Sequence, residues 1–148
     1  MPVAALRPTR NEPFARSPAV AHLEHICTRF TECISKRRWE DPIFERLSPN
    51  FQAFLEHSKK PYVSSGIEYV EAYKAITTAN PDYRCEVLSV TVDLDEEVGE
   101  ARVWMCLRIS GHPKDVVRES VTIAYCRWRG GKWFIERQDG IRGIPIGG

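Results

Sequence analysis

The sequence has few of the features that mark membrane or nucleic-acid-binding proteins. Its 148 residues include 21 Lys and Arg against 20 Asp and Glu, a formal net charge of +1. Such a balance gives no electrostatic reason to expect binding to nucleic acid or to an anionic membrane. No apolar run approaches the roughly 20 residues that span a bilayer, and the N-terminus lacks a secretory apolar core. We therefore expect a cytoplasmic protein.

Signatures of metals and cofactors are missing as well. The five cysteines are an odd number, widely spread, and form no C-x-x-C pair, so we interpret them as small buried hydrophobic residues. His22 and His25 lie one helical turn apart, without further ligands nearby in the sequence. No glycine-rich loop that could cradle a phosphate is present. The sequence predicts a protein that needs no cofactor.

What is present is the composition of an ordinary globular domain, with 43% hydrophobic and 28% charged residues. Residues 1–16 are rich in Pro and Arg and show no periodicity, so we predict a flexible tail, with a transit peptide as the alternative. Residues 17–148 are predicted to form one domain, since their number suffices for a single core.

The first half of this domain predicts three helices. Ser17-Pro18 is a helix start, and the stripe that follows comprises Val20, Leu23, Cys27, Phe30 and Ile34 and continues onto Arg38. Asp41-Pro42 opens a short second helix over 43–47, which Pro49 should end. Residues 51–57 favour a strand, and a third helix over 67–78 follows Gly66.

The second half changes to a period of two, which indicates strands. We predict four of them, at about 83–93, 100–110, 116–128 and 132–140. Because short turns join them, they should form an antiparallel meander. Helices followed by such a sheet indicate an α+β fold.

This order resembles the SnoaL-like polyketide cyclase and isomerase branch of the nuclear-transport-factor-2-like superfamily, whose fold is an α+β cone, also called cystatin-like. The match covers about residues 18–142. It comprises the long first helix ending in RRWEDPIFERLSPNF, the third helix GIEYVEAYKAITTANPDY, and the strand segments RVWMCLRISGH and ESVTIAYCRWRGGKWFIERQDG. The ending is most similar to fungal members that act in natural-product pathways. The resemblance implies three helices packed in a curved, mostly antiparallel sheet around an apolar cavity, and cofactor-free acid–base chemistry. Some relatives only bind or dimerise, so the fold does not fix the activity.

The register of the strands decides which residues could reach that cavity. Ketosteroid isomerase is a relative with this cone-shaped fold, and aligning the last strand with its last strand turns Phe134, Glu136 and Gln138 inward. The same register turns Val103, Met105 and Leu107 inward and leaves Trp104, Cys106 and Arg108 on the outer face. For strand 116–128 the register is open by one residue, and the favoured choice turns Ser120, Thr122, Ala124 and Cys126 inward.

Two catalytic residues are predicted, Glu136 from this register and Arg38 from the stripe of the first helix. Glu136 would transfer a proton, since a carboxylate beside an apolar wall is suited to general acid–base work. Arg38, at the end of the helix 1 stripe, would meet it at the cavity mouth and stabilise an oxyanion. The alternative for Glu136 is a carboxylate at the cavity rim or one paired with a neighbouring arginine. The alternative for Arg38 is a snorkelling side chain at a helix C-terminus, where a cation is favoured.

His57 is the third catalytic candidate, because the general base of ketosteroid isomerase follows the first strand near Glu56 and His57. The alternative is an exposed loop histidine. The predicted substrate-binding residues lie on inner faces: Phe30, Tyr73, Met105, Leu107, Thr122, Phe134 and Gln138.

The functional hypothesis is a cofactor-independent isomerase or cyclase that catalyses an acid–base rearrangement, either a keto–enol shift or a semipinacol-type 1,2-shift. Its substrate would be a hydrophobic polycyclic secondary metabolite, such as a fungal alkaloid, terpenoid or polyketide intermediate. The alternatives are a non-catalytic binding or dimerisation module of the same fold, and a dehydratase. A homodimer through the outer sheet face is expected, because Trp104 would otherwise lie in an exposed apolar patch.

Overall fold

The computed structural model describes residues 17–56 and 58–145, which form two α-helices, one 3-10 turn and a five-stranded sheet. The predictions for residues 1–16 and for His57 lie outside these ranges. The elements are α1 (Pro18–Ser35), the 3-10 turn (Pro42–Arg46), β1 (Leu47–Leu55), α2 (Gly66–Ala79), β2 (Arg84–Asp95), β3 (Glu100–Ser110), β4 (Val117–Arg129) and β5 (Lys132–Pro145). No helix in the described ranges is long and apolar enough to cross a membrane.

Helix α1 begins where the sequence predicts but ends earlier. The Ser17 hydroxyl accepts a hydrogen bond from the Ala19 amide at 3.1 Å, a typical N-cap. The predicted stripe is buried through Leu23, Cys27, Phe30 and Ile34. The helix then stops at Ser35, and Arg37 adopts a left-handed φ of 58°. The prediction that the stripe continues onto Arg38 is therefore wrong, because the chain turns away first.

The predicted second α-helix is also wrong. Residues Pro42–Arg46 form a 3-10 turn capped by Asp41, whose carboxylate accepts from the Ile43 amide at 2.9 Å. Leu47 already has an extended backbone and lies opposite Ile135 of the sheet. The segment before Pro49 is shorter than two helical turns, so strand pairing decides its conformation.

The sheet has the order β1-β5-β4-β3-β2. Strands β2 to β5 form the predicted antiparallel meander, whereas β1 runs parallel to β5, so the sheet is mixed. Helix α1 packs against β2 and α2 against β1. The face of the sheet that these helices cover is called the inner face below.

The register of β3 and β4 agrees with the prediction. On β3, Val103, Met105 and Leu107 are buried, whereas Trp104, Cys106 and Arg108 are exposed on the outer face. On β4 the buried inner set is Ser120, Thr122, Ala124 and Cys126. The register of this strand, which the sequence left open by one residue, is therefore the one that we favoured.

Strand β5 departs from simple alternation at Glu136. Its partner strand advances one residue, from Cys126 to Tyr125, while β5 advances two, from Ile135 to Arg137. This bulge makes Glu136 the extra residue. Trp133 and Ile135 are buried before the bulge, and the pairing of Ala124 with Gln138 resumes on the inner face after it. The prediction that Phe134 and Glu136 face inward is wrong, whereas the placement of Gln138 is confirmed.

Candidate functional site

A cavity of about 490 Å³ lies between the two helices and the inner face of the sheet. Its size falls in the range of about 300–1,000 Å³ typical of small-molecule sites. Most of its lining is apolar or aromatic, and it includes six of the predicted substrate-binding residues: Phe30, Tyr73, Met105, Leu107, Thr122 and Gln138. These residues lie where a ligand would contact them, and their role in binding stays a prediction.

One wall of the cavity is built from tyrosines. Tyr69 and Tyr73 lie one turn apart on α2, with ring centroids 4.8 Å apart, and Tyr83 follows at 6.4 Å from Tyr73. The Tyr69 hydroxyl donates to Oε1 of Gln138 at 3.1 Å, which leaves the amide nitrogen of Gln138 as a donor. The spacing of four residues on one helix brings the first two phenols to the same face.

Burial determines the protonation of this wall. Removal from water raises the pKa of Tyr69, of Tyr73 and of Tyr83 above that of an ordinary phenol, because a phenolate is poorly stabilised in an apolar environment. These groups therefore keep their protons across the physiological range. They act as hydrogen-bond donors, the property needed to polarise a carbonyl oxygen.

The end of the cavity that is lined by the β3–β4 connection and the neighbouring parts of β4 and β5 is called the open end below, because His112 and Arg142 are exposed there. Arg118 and Ser120 of β4 and Arg142 of β5 line it, together with His112 from the β3–β4 connection. Ser120 lies directly opposite Arg142 in the sheet, so the two side chains share the inner face. None of the described residues that line the cavity is an Asp or a Glu.

The predicted catalytic pair is not brought together. Glu136 points to the outer face, where Nε of Arg127 lies 3.1 Å and Nη2 of Arg129 lies 2.5 Å from its carboxylate oxygens. Arg38 is exposed in the turn after α1, and neither residue lines the cavity. Phe134 is absent from the lining too, because it precedes the bulge. His57 lies outside the described residues, and its catalytic role stays a prediction.

Several cavity residues were missed by the sequence analysis although signals for them exist. Tyr69 precedes the predicted Tyr73 by one helical turn, and Arg118 precedes the predicted Ser120 by one alternation of the strand. Tyr83, His112 and Arg142 carry no comparable signal. Their placement depends on the turn before β2, the β3–β4 connection and the irregular pairing at the end of β5.

Comparison with solved structures identifies the architecture. The fold is NTF2-like. The chain superimposes on an NTF2-like protein of unknown function from Pseudomonas putida KT2440 with a TM-score of 0.68 and 13% identity, covering 87% of this chain and 89% of that one. Such proteins are also described as cystatin-like.

Two further structures of this fold carry enzyme names. Hexachlorocyclohexane dehydrochlorinase LinA-type3 from Novosphingobium barchaimii LL02 matches with a TM-score of 0.71 and 10% identity, covering 86% of this chain and 90% of that one. A proposed scytalone dehydratase from Novosphingobium aromaticivorans DSM 12444 matches at 0.65 and 11%, covering 84% and 83%. No family model and no curated protein matches the sequence. The likeness thus establishes the fold and leaves the SnoaL-like branch a sequence-based interpretation.

Within 17–56 and 58–145, no group of three or more His, Cys, Asp or Glu side chains is arranged to hold a metal ion. The polar groups that line the cavity are phenols, hydroxyls, an amide, a thiol, two guanidinium groups and an imidazole.

Proposed function

We propose that the protein is a cofactor-independent isomerase or cyclase that rearranges a hydrophobic, polycyclic secondary metabolite in the cavity. The observation that carries this proposal is the wall of tyrosines that keep their protons beside a large apolar space. Donors held ready in a water-poor site stabilise an oxyanion as it forms, without having to reorganise. Enzymes such as the dehydrochlorinase show that this fold can carry catalysis.

The reaction class that fits these groups is a proton shift next to a carbonyl. The ligand carbonyl would accept a hydrogen bond from Tyr73, while an adjacent C–H would give its proton to the imidazole of His112. The same proton would then return to another carbon, so that no atom is lost and no electron acceptor is needed. His57 is the second candidate for the base, as the sequence predicts.

An exchange assay tests this proposal without knowledge of the natural substrate. In D₂O, the protein should accelerate deuterium uptake at the carbon beside the carbonyl of 1-tetralone, a bicyclic aromatic ketone, as followed by NMR. Tyr73→Phe should slow this exchange by about a hundredfold or more, since general acid–base groups typically contribute about 10²–10⁴. His112→Gln and His57→Gln, made separately, should identify the base.

Tyr125→Phe is the matched control for the tyrosine variant. Tyr125 donates to Asp139 at 3.3 Å on the outer face and does not line the cavity. Its loss should leave the exchange rate unchanged. Equal rates for the wild-type protein and Tyr73→Phe would contradict a role of the tyrosine wall in catalysis.

A non-catalytic binding module is the second candidate, and a specific observation favours it. The described lining contains no carboxylate, the group that the sequence predicted as proton shuttle. Binding of 1-tetralone without accelerated exchange would select this candidate. A dehydratase differs from an isomerase by its product, and would be recognised by loss of water from a hydroxylated ligand.

We further propose that two copies of the chain associate through the outer face of the sheet. Trp104 is 40% exposed there, between Thr91 of β2 and Ile123 of β4. A large aromatic side chain in the middle of a sheet face is typical of an interface core. This arrangement leaves the cavity open, because the cavity lies on the opposite face.

A further inference from the structure

We infer that the open end of the cavity binds a carboxylate of the ligand, so that the natural ligand is a hydrophobic carboxylic acid. The inference rests on the proposed use of the cavity as a ligand site, and it concerns the chemical class of that ligand. It is based on the side chains at the open end, namely Arg118, Ser120 and Arg142.

Two polar atoms at this end are buried without a partner. Nε of Arg118 and Oγ of Ser120 are shielded from solvent and make no hydrogen bond, and Ser120 as a whole is only 7% exposed. Buried polar groups are nearly always hydrogen-bonded, so each exception calls for an explanation such as a missing ligand. Both atoms belong to neighbouring inner-face positions of β4 that line the same cavity.

The arginines of the outer face provide the contrast. Arg102 lies 2.8 Å from Asp93, Arg127 lies 2.6 Å from Glu100, and Arg137 lies 2.8 Å from Asp139. In the described ranges, no carboxylate lies within ion-pair distance of Arg118 or Arg142. The neighbouring Glu119 does not compensate them, since it lies on the outer face, 3.5 Å from Arg108.

The guanidinium groups of Arg118 and Arg142 both line this end of the cavity, and two like charges at one site repel each other. A ligand carboxylate removes this repulsion and offers two acceptor oxygens to the planar fork of an arginine. The Ser120 hydroxyl can donate to the same group. The apolar remainder of the ligand then extends inward toward Met105 and the tyrosine wall, whose side chains line the same cavity.

Matched probes test this assignment. The affinities of 1-naphthaleneacetic acid and of its neutral isostere 1-naphthaleneacetamide are measured by calorimetry with the full chain. We expect the acid to bind about tenfold or more tightly than the amide, since hydrogen bonds to charged groups are strong. The affinity of the acid should also fall with added salt, while that of the amide should not.

Variants locate the effect. Arg118→Gln should abolish the preference, so that acid and amide bind with about equal affinity, and should leave the affinity for the amide unchanged. Arg142→Gln, at an exposed position that tolerates replacement, should reduce the same preference. It provides the test if Arg118→Gln fails to fold. Arg102→Gln, which removes an outer-face cation, should preserve it.

The outcomes separate this inference from the proposed function. Equal binding of acid and amide by the wild-type protein would overturn the carboxylate site alone, and deuterium exchange of the neutral 1-tetralone would be unaffected. A preference for the acid that survives both Arg118→Gln and Arg142→Gln would also overturn it. Binding of neither probe would overturn it together with the use of the cavity as a ligand site.

Discussion

At the scale of single residues, Cys85 couples the cavity wall to the stability of the fold at alkaline pH. It lines the cavity at the start of β2 and is 8% exposed. Burial raises the pKa of its thiol from 9.0 to about 12. A group whose pKa is raised by folding contributes its full stabilisation below the pKa of the unfolded state. This contribution is lost as the pH rises toward the pKa of the folded state. The window of loss therefore runs from about pH 9 to about 12.

This coupling predicts the pH dependence of a variant. The free energy of unfolding of the wild-type protein should fall between pH 8 and 10, and that of Cys85→Ala should fall less, by about 1–2 kcal/mol over this interval. Urea denaturation at fixed pH values measures both. Cys106→Ala is the control, because its thiol is exposed on the outer face and loses little hydration on folding. Parallel slopes for the wild-type protein and Cys85→Ala would refute the prediction.

The location of inward-facing residues was easier to predict than their function. Alternation correctly placed Met105, Leu107 and Thr122 in the cavity lining, since a strand buried on one face must turn every second side chain inward. It failed for Glu136, because a bulge changes the parity without changing the alternating pattern of the sequence. The acid that looked like a proton shuttle lies instead between two outer-face arginines.

At the scale of elements, the irregular end of β5 places Arg142 beside the cavity. Between Arg118 and Ser120 the partner strand advances from Pro145 to Arg142, a second bulge. Gly143 lies at this bulge with its Cα so close to β4 that an added Cβ would be 2.0 Å from the backbone oxygen of Glu119. A backbone atom cannot move aside as a flexible side chain does, so only glycine fits here.

Gly143→Ala should therefore destabilise the protein by about 3 kcal/mol, at the upper end of the usual range for overpacking. Thermal and urea unfolding measure the change. Gly140→Ala is a matched control on the same strand, since its added Cβ would lie 3.9 Å from the nearest atom, the oxygen of Phe54. Comparable stability of the two variants would show that β5 can shift at this point, and that the close approach is not required.

Elements with strong local signals were predicted well. Capping by Ser17 and the apolar stripe located α1, and short turns located the meander. The 3-10 turn and the parallel pairing of β1 with β5 were not predicted, because both depend on contacts between segments distant in the sequence, such as Leu47 with Ile135. Local patterns carry no information on such pairs.

At the scale of the whole molecule, the two faces of the sheet divide the roles. The inner face and the helices enclose the cavity, whose uncompensated cations lie at its open end. The charged side chains of the outer face form ion pairs, and Trp104 lies among them. A dimer formed through the outer face would therefore hold two independent cavities facing away from each other.

The dimer is tested by changing one side chain on that face. The wild-type protein at micromolar concentration should scatter light as a particle of twice the mass of one chain. Trp104→Arg should halve that mass, because an unpaired charge at the centre of an interface is costly to bury. Ile67→Arg is the control: Ile67 is 78% exposed on α2, away from the sheet face, and its replacement should leave the mass unchanged. A monomeric wild-type protein, or a Trp104→Arg variant that remains dimeric, would refute association through the outer face. Binding of 1-naphthaleneacetic acid and deuterium exchange of 1-tetralone report on the cavity and would not be affected by this outcome.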